Sequence, residues 1–246
     1  MSKKILVVLE GVKPEKKITN IINTHLLPQI ELKDIVVYGN NVYKLYNDIT
    51  KDPFADSLST FELLEEYSDM AQNGGFFDTY SKEDFAYIYL FFDYDPWDSS
   101  FDYSKIDKML EMFNNPTEQG KLYINYPSSE SFVHITDDFY NSKYNRERDG
   151  KYKTLVGNQS PNDLNYNKIS KELTLDVCKK HLIKANMIFK DIVDIPQSVC
   201  QKNLYNNQKD MYSDKKNIYI LSNFPSFVLE FLGYDEYIKL DRTRDK

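Results

Sequence analysis

The run AYIYLFF at residues 86–92 constrains the fold more than any other part of this sequence. It consists of seven apolar or aromatic residues, without the alternation of apolar and polar residues that marks a strand with one face in water. Such a run predicts a strand that is buried on both faces, as in a parallel sheet covered by helices. The run ends at Asp93 and Asp95, which Pro96 follows.

Shorter runs of the same kind lie before and after this strand. KILVVL at 4–9 and DIVVY at 34–38 predict two strands, and a helical periodicity that begins near Pro14 separates them. KLYI at 121–124 predicts a fourth strand. Because strands that alternate with helices form parallel sheets, we expect residues 1–126 to form an α/β domain, with a parallel sheet of about four strands flanked by helices.

The pattern changes after Pro127, and residues 127–246 are interpreted as a mostly helical lobe. Residues 128–140 are interpreted as a helix that starts at Ser128 or Ser129. Helical periodicity predicts helices at 168–189 and 198–210, and a last apolar helix follows at 224–232. Residues 141–167 are rich in polar residues, glycine and proline, so we expect them to form a long polar loop.

Acidic side chains follow two of the predicted strands. Glu10 comes directly after the first strand, and Asp93 and Asp95 come directly after the central one. Since ligands of open parallel sheets bind at the carboxyl ends of the strands, three carboxylates would meet at one edge if these strands are neighbours. Carboxylates that lie so close need a cation, and a hard ion with oxygen ligands, Mg²⁺ or Mn²⁺, is the expected cofactor. The alternative is that these acids only form turns and cap helices.

The order of these motifs resembles the TOPRIM domain of topoisomerases, primases and OLD-type nucleases. Glu10-Gly11 follows the first predicted strand, and Asp93-x-Asp95 follows a later one. The segment YPSSESF at 126–132 is similar to a Pro-x-x-Glu-x-aromatic stretch of RloB-like abortive-infection proteins.

This resemblance, which covers about residues 3–135, implies a metal-dependent nuclease that hydrolyses the phosphodiesters of nucleic acid. DNA, RNA and tRNA are the open alternatives for its substrate. It implies that Glu10, Asp93 and Asp95 are catalytic, that Asp93 and Asp95 bind Mg²⁺ or Mn²⁺, and that Glu10 acts as a general acid or base or binds the metal as well. Glu130 would be a secondary acidic residue near this metal site, or only a residue at the start of a helix. Proteins of this group often act in bacterial anti-phage defence, as abortive-infection effectors or toxins, beside an ATPase subunit. An ATPase partner is therefore expected.

Basic residues that could bind a nucleic-acid backbone are concentrated in one polar stretch. They are Lys143, Arg146, Arg148, Lys151 and Lys153. Tyr144 and Tyr152 lie among them and could stack on bases. Lys13 is a further candidate for substrate binding, since it precedes a predicted helix whose N-terminus a phosphate could approach. A solvated loop without any substrate is an equally open interpretation of this stretch.

The chain as a whole is acidic, with a formal net charge of −7. A protein that binds nucleic acid alone usually carries a basic excess, because neutralised phosphates supply most of the affinity. We therefore expect a local basic patch or a partner to hold the nucleic acid. No run approaches the roughly 18 apolar residues of a membrane span. The two isolated cysteines suit a reducing compartment, so a cytoplasmic location without membrane association is expected.

Two other functions stay open. The sequence FFDYD at 91–95 resembles the D-x-D motif of haloacid-dehalogenase phosphatases, although in that family the motif normally follows the first strand. A non-catalytic regulatory or binding subunit would keep the acidic residues only as a ligand site. The three histidines are scattered and fit no nucleophile pattern, so catalysis of the Ser-His-Asp type is not expected.

Overall fold

The computed structural model describes residues 4–30, 32, 34–51 and 58–242, and its main sheet has five strands. They are β1 (Lys4–Leu9), β2 (Ile35–Val37), β3 (Phe85–Asp93), β4 (Asn114–Asn115) and β5 (Gly120–Asn125). The strand order is β2-β1-β3-β5-β4, in which the first four strands pair in parallel and β4 pairs antiparallel at the edge. The four predicted strands are confirmed, and the two-residue β4 is an addition.

Helices follow the strands in the N-terminal half. They are α1 (Glu15–His25), α2 (Val42–Lys51), α3 (Thr60–Tyr67), α4 (Met70–Asn73), α5 (Phe76–Thr79) and α6 (Tyr103–Met112). The Ser59 side chain caps α3 by accepting a hydrogen bond from the Glu62 amide. No helix in the described part of the chain is long and apolar enough to cross a membrane.

The C-terminal half is mostly helical. Its elements are β6 (Lys143–Tyr144), α7 (Arg146–Asp149), α8 (Tyr152–Gln159), α9 (Lys171–Lys190), α10 (Gln201–Lys215), β7 (Ile218–Tyr219), α11 (Phe224–Leu232) and α12 (Tyr234–Arg242). β6 and β7 pair with each other in antiparallel fashion. The expected α/β fold with a helical C-terminal region is confirmed at this level, whereas a specifically TOPRIM fold stays a prediction.

The C-terminal half packs directly against the sheet. The ring of Phe224 on α11 stacks on that of Phe91 on β3, with centroids 4.3 Å apart and planes within 2° of parallel. Beyond β5, Tyr126 and Leu221 exchange two backbone hydrogen bonds of 2.8 Å. Both halves therefore contribute to one continuous apolar core. The division into a domain 1–126 and a lobe 127–246 stays a prediction.

The prediction of a polar loop at 141–167 is wrong for residues 143–159, which form β6, α7 and α8. Most of these residues are polar, but a few buried ones pack into the core. Tyr144, Tyr152 and Val156 are buried, and the last two lie four residues apart on one face of α8. The side chain of Asn145 caps α7 by accepting hydrogen bonds from two backbone amides.

The predicted helix at 128–140 is also wrong. The structure has two short 3₁₀ turns there, Ser129–Val133 and Phe139–Asn141. Ser131, Phe132 and Val133 are consecutive and all buried. An amphipathic helix would leave part of such a run exposed, so tertiary contacts on every side replace the helical pattern here.

Candidate active site

The carboxyl ends of β1 and β3 lie side by side and bring Glu10 and Asp93 together. Leu9 pairs with Phe91 in the parallel register, and the Glu10 amide donates a hydrogen bond of 3.1 Å to the Phe91 carbonyl. Slightly further along, the Asp93 amide donates a hydrogen bond of 2.9 Å to Oε2 of Glu10. The two acids thus converge at one edge of the sheet.

The segment after β5 closes over this pair. β5 pairs with β3 so that Asn125 lies opposite Asp93. The chain then makes one 3₁₀ turn, and the Ser129 amide donates a hydrogen bond of 2.9 Å to Oδ1 of Asp93. The same turn carries Glu130, whose Oε2 accepts a hydrogen bond of 2.7 Å from the Ser128 hydroxyl. The hydrogen bond from the Ser129 amide to the Asp93 side chain therefore holds the turn that carries Glu130 beside the other acids.

Asp95 reaches the same place through an unusual backbone conformation. Its φ is +28°, on the left-handed side that aspartate adopts more readily than most residues. Its amide donates a hydrogen bond of 3.3 Å to the carbonyl of Pro127, which ties the D-x-D turn to the segment after β5. Asp93 and Asp95 line one pocket as a result.

The acids form one wall of a pocket of about 250 Å³. Its lining residues are Glu10, Asp93, Asp95, Trp97, Pro127, Ser128, Glu130, Tyr144, Arg146, Lys151, Tyr152 and Lys153. The acidic residues follow the strands of the sheet, whereas the basic residues come from α7, α8 and the connection between them. Carboxylates and cations therefore share one small cavity, although they come from opposite halves of the chain.

Burial raises the pKa of several carboxyl groups in the acidic wall. Desolvation raises the pKa of Glu10 to about 8, the hydrogen bond from the Asp93 amide opposes this rise, and neighbouring acids add to it. The pKa of Asp93 lies well above its ordinary value, first through desolvation and then through the charge of Glu10. Burial also raises the pKa of Asp95 to about 6, against the opposing charge of Arg146. The wall therefore retains protons at neutral pH unless a cation offsets its charge.

Glu15 is a further acid beside this wall that sequence motifs did not single out. It is the first residue of α1, and it is only 4% exposed. Its pKa is raised, mainly by burial, and its charge raises the pKa of both Glu10 and Asp93. An acid in the first turn of a helix is ordinarily explained by its favourable interaction with the helix dipole, so its place in the sequence was no reason to select Glu15 as a site residue. Only its burial among other acids identifies it.

The structure separates the six basic residues that were predicted to bind substrate. Arg146, Lys151 and Lys153 line the pocket. The other three lie outside its lining: Lys13 is exposed in front of α1, Lys143 lies over the ring of Tyr219, and Arg148 is paired with Asp149. Nucleic-acid contact by these three stays a prediction.

The two tyrosines that were expected to stack on bases are buried. Tyr144 is 1% exposed and Tyr152 is 6% exposed, which leaves little of either ring for a ligand. The Tyr152 hydroxyl lies 2.9 Å from Nδ1 of His134, whose Nε2 lies 3.0 Å from Oε1 of Gln159. These contacts hold the ring of Tyr152, which lines the pocket, and give its hydroxyl a structural partner.

Trp97 is the partly exposed aromatic residue of the pocket lining. The guanidinium carbon of Arg146 lies 5.2 Å from the centre of its ring, within the range of a cation–π contact. Trp97 follows the D-x-D turn without belonging to any motif, so sequence reasoning missed it. The signal that could have identified it is that Trp97 is the one tryptophan of the chain.

The donor chemistry of the acidic wall suits the Mg²⁺ or Mn²⁺ ion that the resemblance implies. The donors are hard carboxylate oxygens, and among the described residues Oδ1 of Asp95 and Oε2 of Glu15 are buried without a hydrogen bond. Within residues 4–30, 32, 34–51 and 58–242, however, no three His, Cys, Asp or Glu side chains are arranged to hold a metal between them. The wall therefore fits an ion with one or two protein carboxylates and several waters or substrate oxygens, as is common for Mg²⁺.

The resemblance to the TOPRIM family rests on the motif residues alone. No family model, no curated protein and no solved structure matches this chain.

Proposed function

We propose that this chain is a metal-dependent phosphodiesterase, a TOPRIM-like nuclease that acts on nucleic acid. The observation that carries the proposal is the pocket in which Asp93 and Asp95 share one cavity with Arg146 and two lysines. Carboxylates alone would suit many metal ions, and cations alone would suit many anions. The combination suits a phosphodiester, whose oxygens bind a divalent ion and basic side chains at once.

In this proposal Asp93 and Asp95 bind the metal ion, and Glu130 is a nearby acid that can add a water-mediated contact. A bound divalent ion supplies Lewis-acid polarisation of the phosphate and lowers the pKa of a bound water. Glu10, which accepts a hydrogen bond of 2.9 Å from the Asp93 amide and whose pKa burial raises, is the acid that would donate a proton to the leaving oxygen. Arg146 and its neighbouring lysines hold the phosphate by charge.

The wider assignment rests on the resemblance to the TOPRIM family, and the acidic charge of the chain is compatible with it. At a net charge of −7, a few cations in one pocket are a small surface for holding a long nucleic acid. We therefore propose that an ATPase partner assists substrate binding, in a cytoplasmic anti-phage or toxin-type system.

The test of this function uses the purified full chain with Mg²⁺ or Mn²⁺ and, separately, single-stranded DNA, duplex DNA, RNA and tRNA. We expect cleavage that EDTA abolishes. Asp93→Asn and Asp95→Asn should each reduce cleavage by at least about 100-fold, since even indirect partners of a metal typically contribute 10- to 100-fold. Glu65→Gln, which changes an exposed acid on α3, is the matched control.

Binding of Mn²⁺, followed by calorimetry, separates the metal site from the chemistry. Loss of Mn²⁺ binding in Asp93→Asn, but not in Glu65→Gln, is the expected result. Cleavage that persists in both aspartate variants at saturating Mg²⁺ would show that the acidic wall is not the metal site.

A non-catalytic binding subunit is the second candidate, and one observation favours it. The chain carries a formal net charge of −7, whereas a protein that binds nucleic acid alone usually carries a basic excess. If the chain binds Mn²⁺ and nucleic acid but cuts none of the four substrates, alone or with a partner, this second function replaces the first.

A further inference from the structure

Trp97 and Arg146 lie in cation–π contact in the lining of the acidic pocket and together form a stacking platform. We propose that this platform is a base-stacking subsite that takes one unpaired nucleotide of a single-stranded substrate. The inference rests on the proposed function, because it specifies the substrate class of the same pocket.

The environment of Trp97 supports this role. Buried Tyr144 packs against its ring at an angle of 76°, with ring centroids 5.4 Å apart, which restrains the indole. The guanidinium of exposed Arg146 lies over the ring, and its charge also acts on Asp95. The platform is therefore open to solvent on the Arg146 side and lines the same pocket as the acidic wall.

A nucleobase is the ligand whose chemistry fits this platform. Bases stack on aromatic rings and on guanidinium planes, and every base has such a face, so the contact needs no particular sequence. Lys151 and Lys153 line the same cavity and can hold the phosphate of the same nucleotide. An amino-acid or sugar phosphate would use the lysines but would leave the indole and guanidinium without a planar partner.

The size of the cavity favours an unpaired nucleotide over a duplex. Its volume of about 250 Å³ lies slightly below the roughly 300 Å³ at which pockets for drug-sized ligands begin. One nucleotide unit is of that order, whereas a base pair is not. Bases inside a duplex also stack on each other and offer no free face to Trp97.

Trp97 is the one tryptophan in the chain, so its fluorescence reports directly on this pocket. The full chain is titrated at low salt with thymidine monophosphate, ribose 5-phosphate and inorganic phosphate, in EDTA and in Mg²⁺. We expect saturable quenching by the nucleotide and at least about tenfold weaker effects of the two phosphates that lack a base. Equal responses to all three would overturn the subsite.

Variants test the same point through the anisotropy of a fluorescein-labelled single-stranded oligonucleotide in EDTA. Trp97→Leu should weaken binding by about tenfold, in line with the loss of one stacked base. Trp97→Phe keeps an aromatic ring and should recover most of the affinity. Phe189→Leu removes an exposed aromatic ring at the end of α9, outside the pocket lining, and should bind like the wild type.

The same oligonucleotide as a blunt duplex is the final comparison, and we expect it to bind at least about tenfold more weakly. The subsite would be overturned if the duplex and the single strand bind with equal affinity, or if Trp97→Leu binds the single strand as well as Phe189→Leu does. Either result would count even if the chain cuts nucleic acid. Conversely, Trp97-dependent binding without any cleavage would uphold the subsite and reject the nuclease. Thermal unfolding of each variant confirms that it is folded.

Discussion

The amide of Asp93 donates a hydrogen bond of 2.9 Å to the carboxylate of Glu10, so the backbone itself holds together the acids that end β1 and β3. This hydrogen bond favours the charged form of Glu10, whereas burial favours the protonated form. Burial is the larger effect, because the pKa of Glu10 rises to about 8. The pair therefore combines a fixed geometry with a proton that is available at neutral pH.

Glu10 should make the metal-free protein less stable as the pH rises. The unfolded chain releases this proton near the ordinary glutamate pKa of about 4.5, and the folded chain holds it until about pH 8. The folded state thus binds more protons between these values, and the free energy of unfolding falls across that window. We expect the fall to be on the order of a few kcal/mol, measured by urea unfolding in EDTA from pH 5 to 9.

Glu10→Gln should flatten this dependence, since glutamine has no proton to lose, while Glu65→Gln should retain it. Added Mg²⁺ should restore stability above pH 7 in the wild type. An unchanged pH profile in Glu10→Gln would mean that other acids of the wall carry the titration.

His181 should make the protein less stable as the pH falls, which is opposite to the effect of Glu10. Burial lowers its pKa to about 3, while its two ring nitrogens contact the Phe132 carbonyl at 3.2 Å and the Ser222 amide at 3.1 Å. The unfolded state takes up this proton near pH 6.5 and the folded state near pH 3, so stability falls as the pH drops through that interval. His181→Gln should reduce the slope of unfolding free energy against pH by about one proton, and an unchanged slope would contradict the assignment.

Phe224→Ala should strongly destabilise the whole protein. The ring is buried and stacks on Phe91 in the central strand, and removal of such a ring typically costs about 3–5 kcal/mol. Chemical unfolding should show one cooperative transition that moves as a unit. A fragment of residues 1–126 should then fail to fold alone, since it would expose the face of β3 that α11 covers; a folded fragment would support an independent N-terminal domain.

We expect charge reversal of basic residues to weaken nucleic-acid binding more inside the pocket than outside it. Lys151→Glu with Lys153→Glu changes the pocket lining, and it should weaken nucleic-acid binding. The slope of log affinity against log salt concentration should become shallower by about two. Lys143→Glu with Arg148→Glu makes the same change of charge outside the lining, and it should weaken binding several-fold less than the first pair. Anisotropy from 50 to 200 mM NaCl measures both pairs, and equal losses in the two would indicate a diffuse basic surface.

Local patterns were sufficient to predict much of the fold. The strand at Phe85–Asp93 and the helix at Lys171–Lys190 are long and strongly patterned, and each was predicted to within a few residues. Polar stretches such as Arg146–Asp149 were not predicted as helical, because few of their residues contribute to an apolar face. The helix at Tyr234–Arg242 was missed for a similar reason, since Tyr237 is its one buried residue.

The placement of acids at strand ends was also readable from the sequence, whereas the composition of the pocket was not. Glu10 and Asp93 are 83 residues apart, and the sequence predicts that they meet only if their strands are neighbours, a condition that the pairing of β1 with β3 fulfils. No such rule places Arg146 over Trp97, buries Glu15 beside these acids, or separates Lys151 from Lys143.

The sequence by itself therefore determined the strands, the parallel sheet and the acids at the strand ends, because apolar patterns and the alternation of strands with helices are local; the order β2-β1-β3-β5-β4, which makes the acids neighbours, is tertiary. Only the tertiary structure decided which cations and which aromatic ring face those acids. Side-chain burial and proximity depend on how α7 and α8 pack against the strand ends, through contacts such as that of Trp97 with Tyr144. Those contacts join residues that are distant in sequence, and no periodicity in the sequence encodes them.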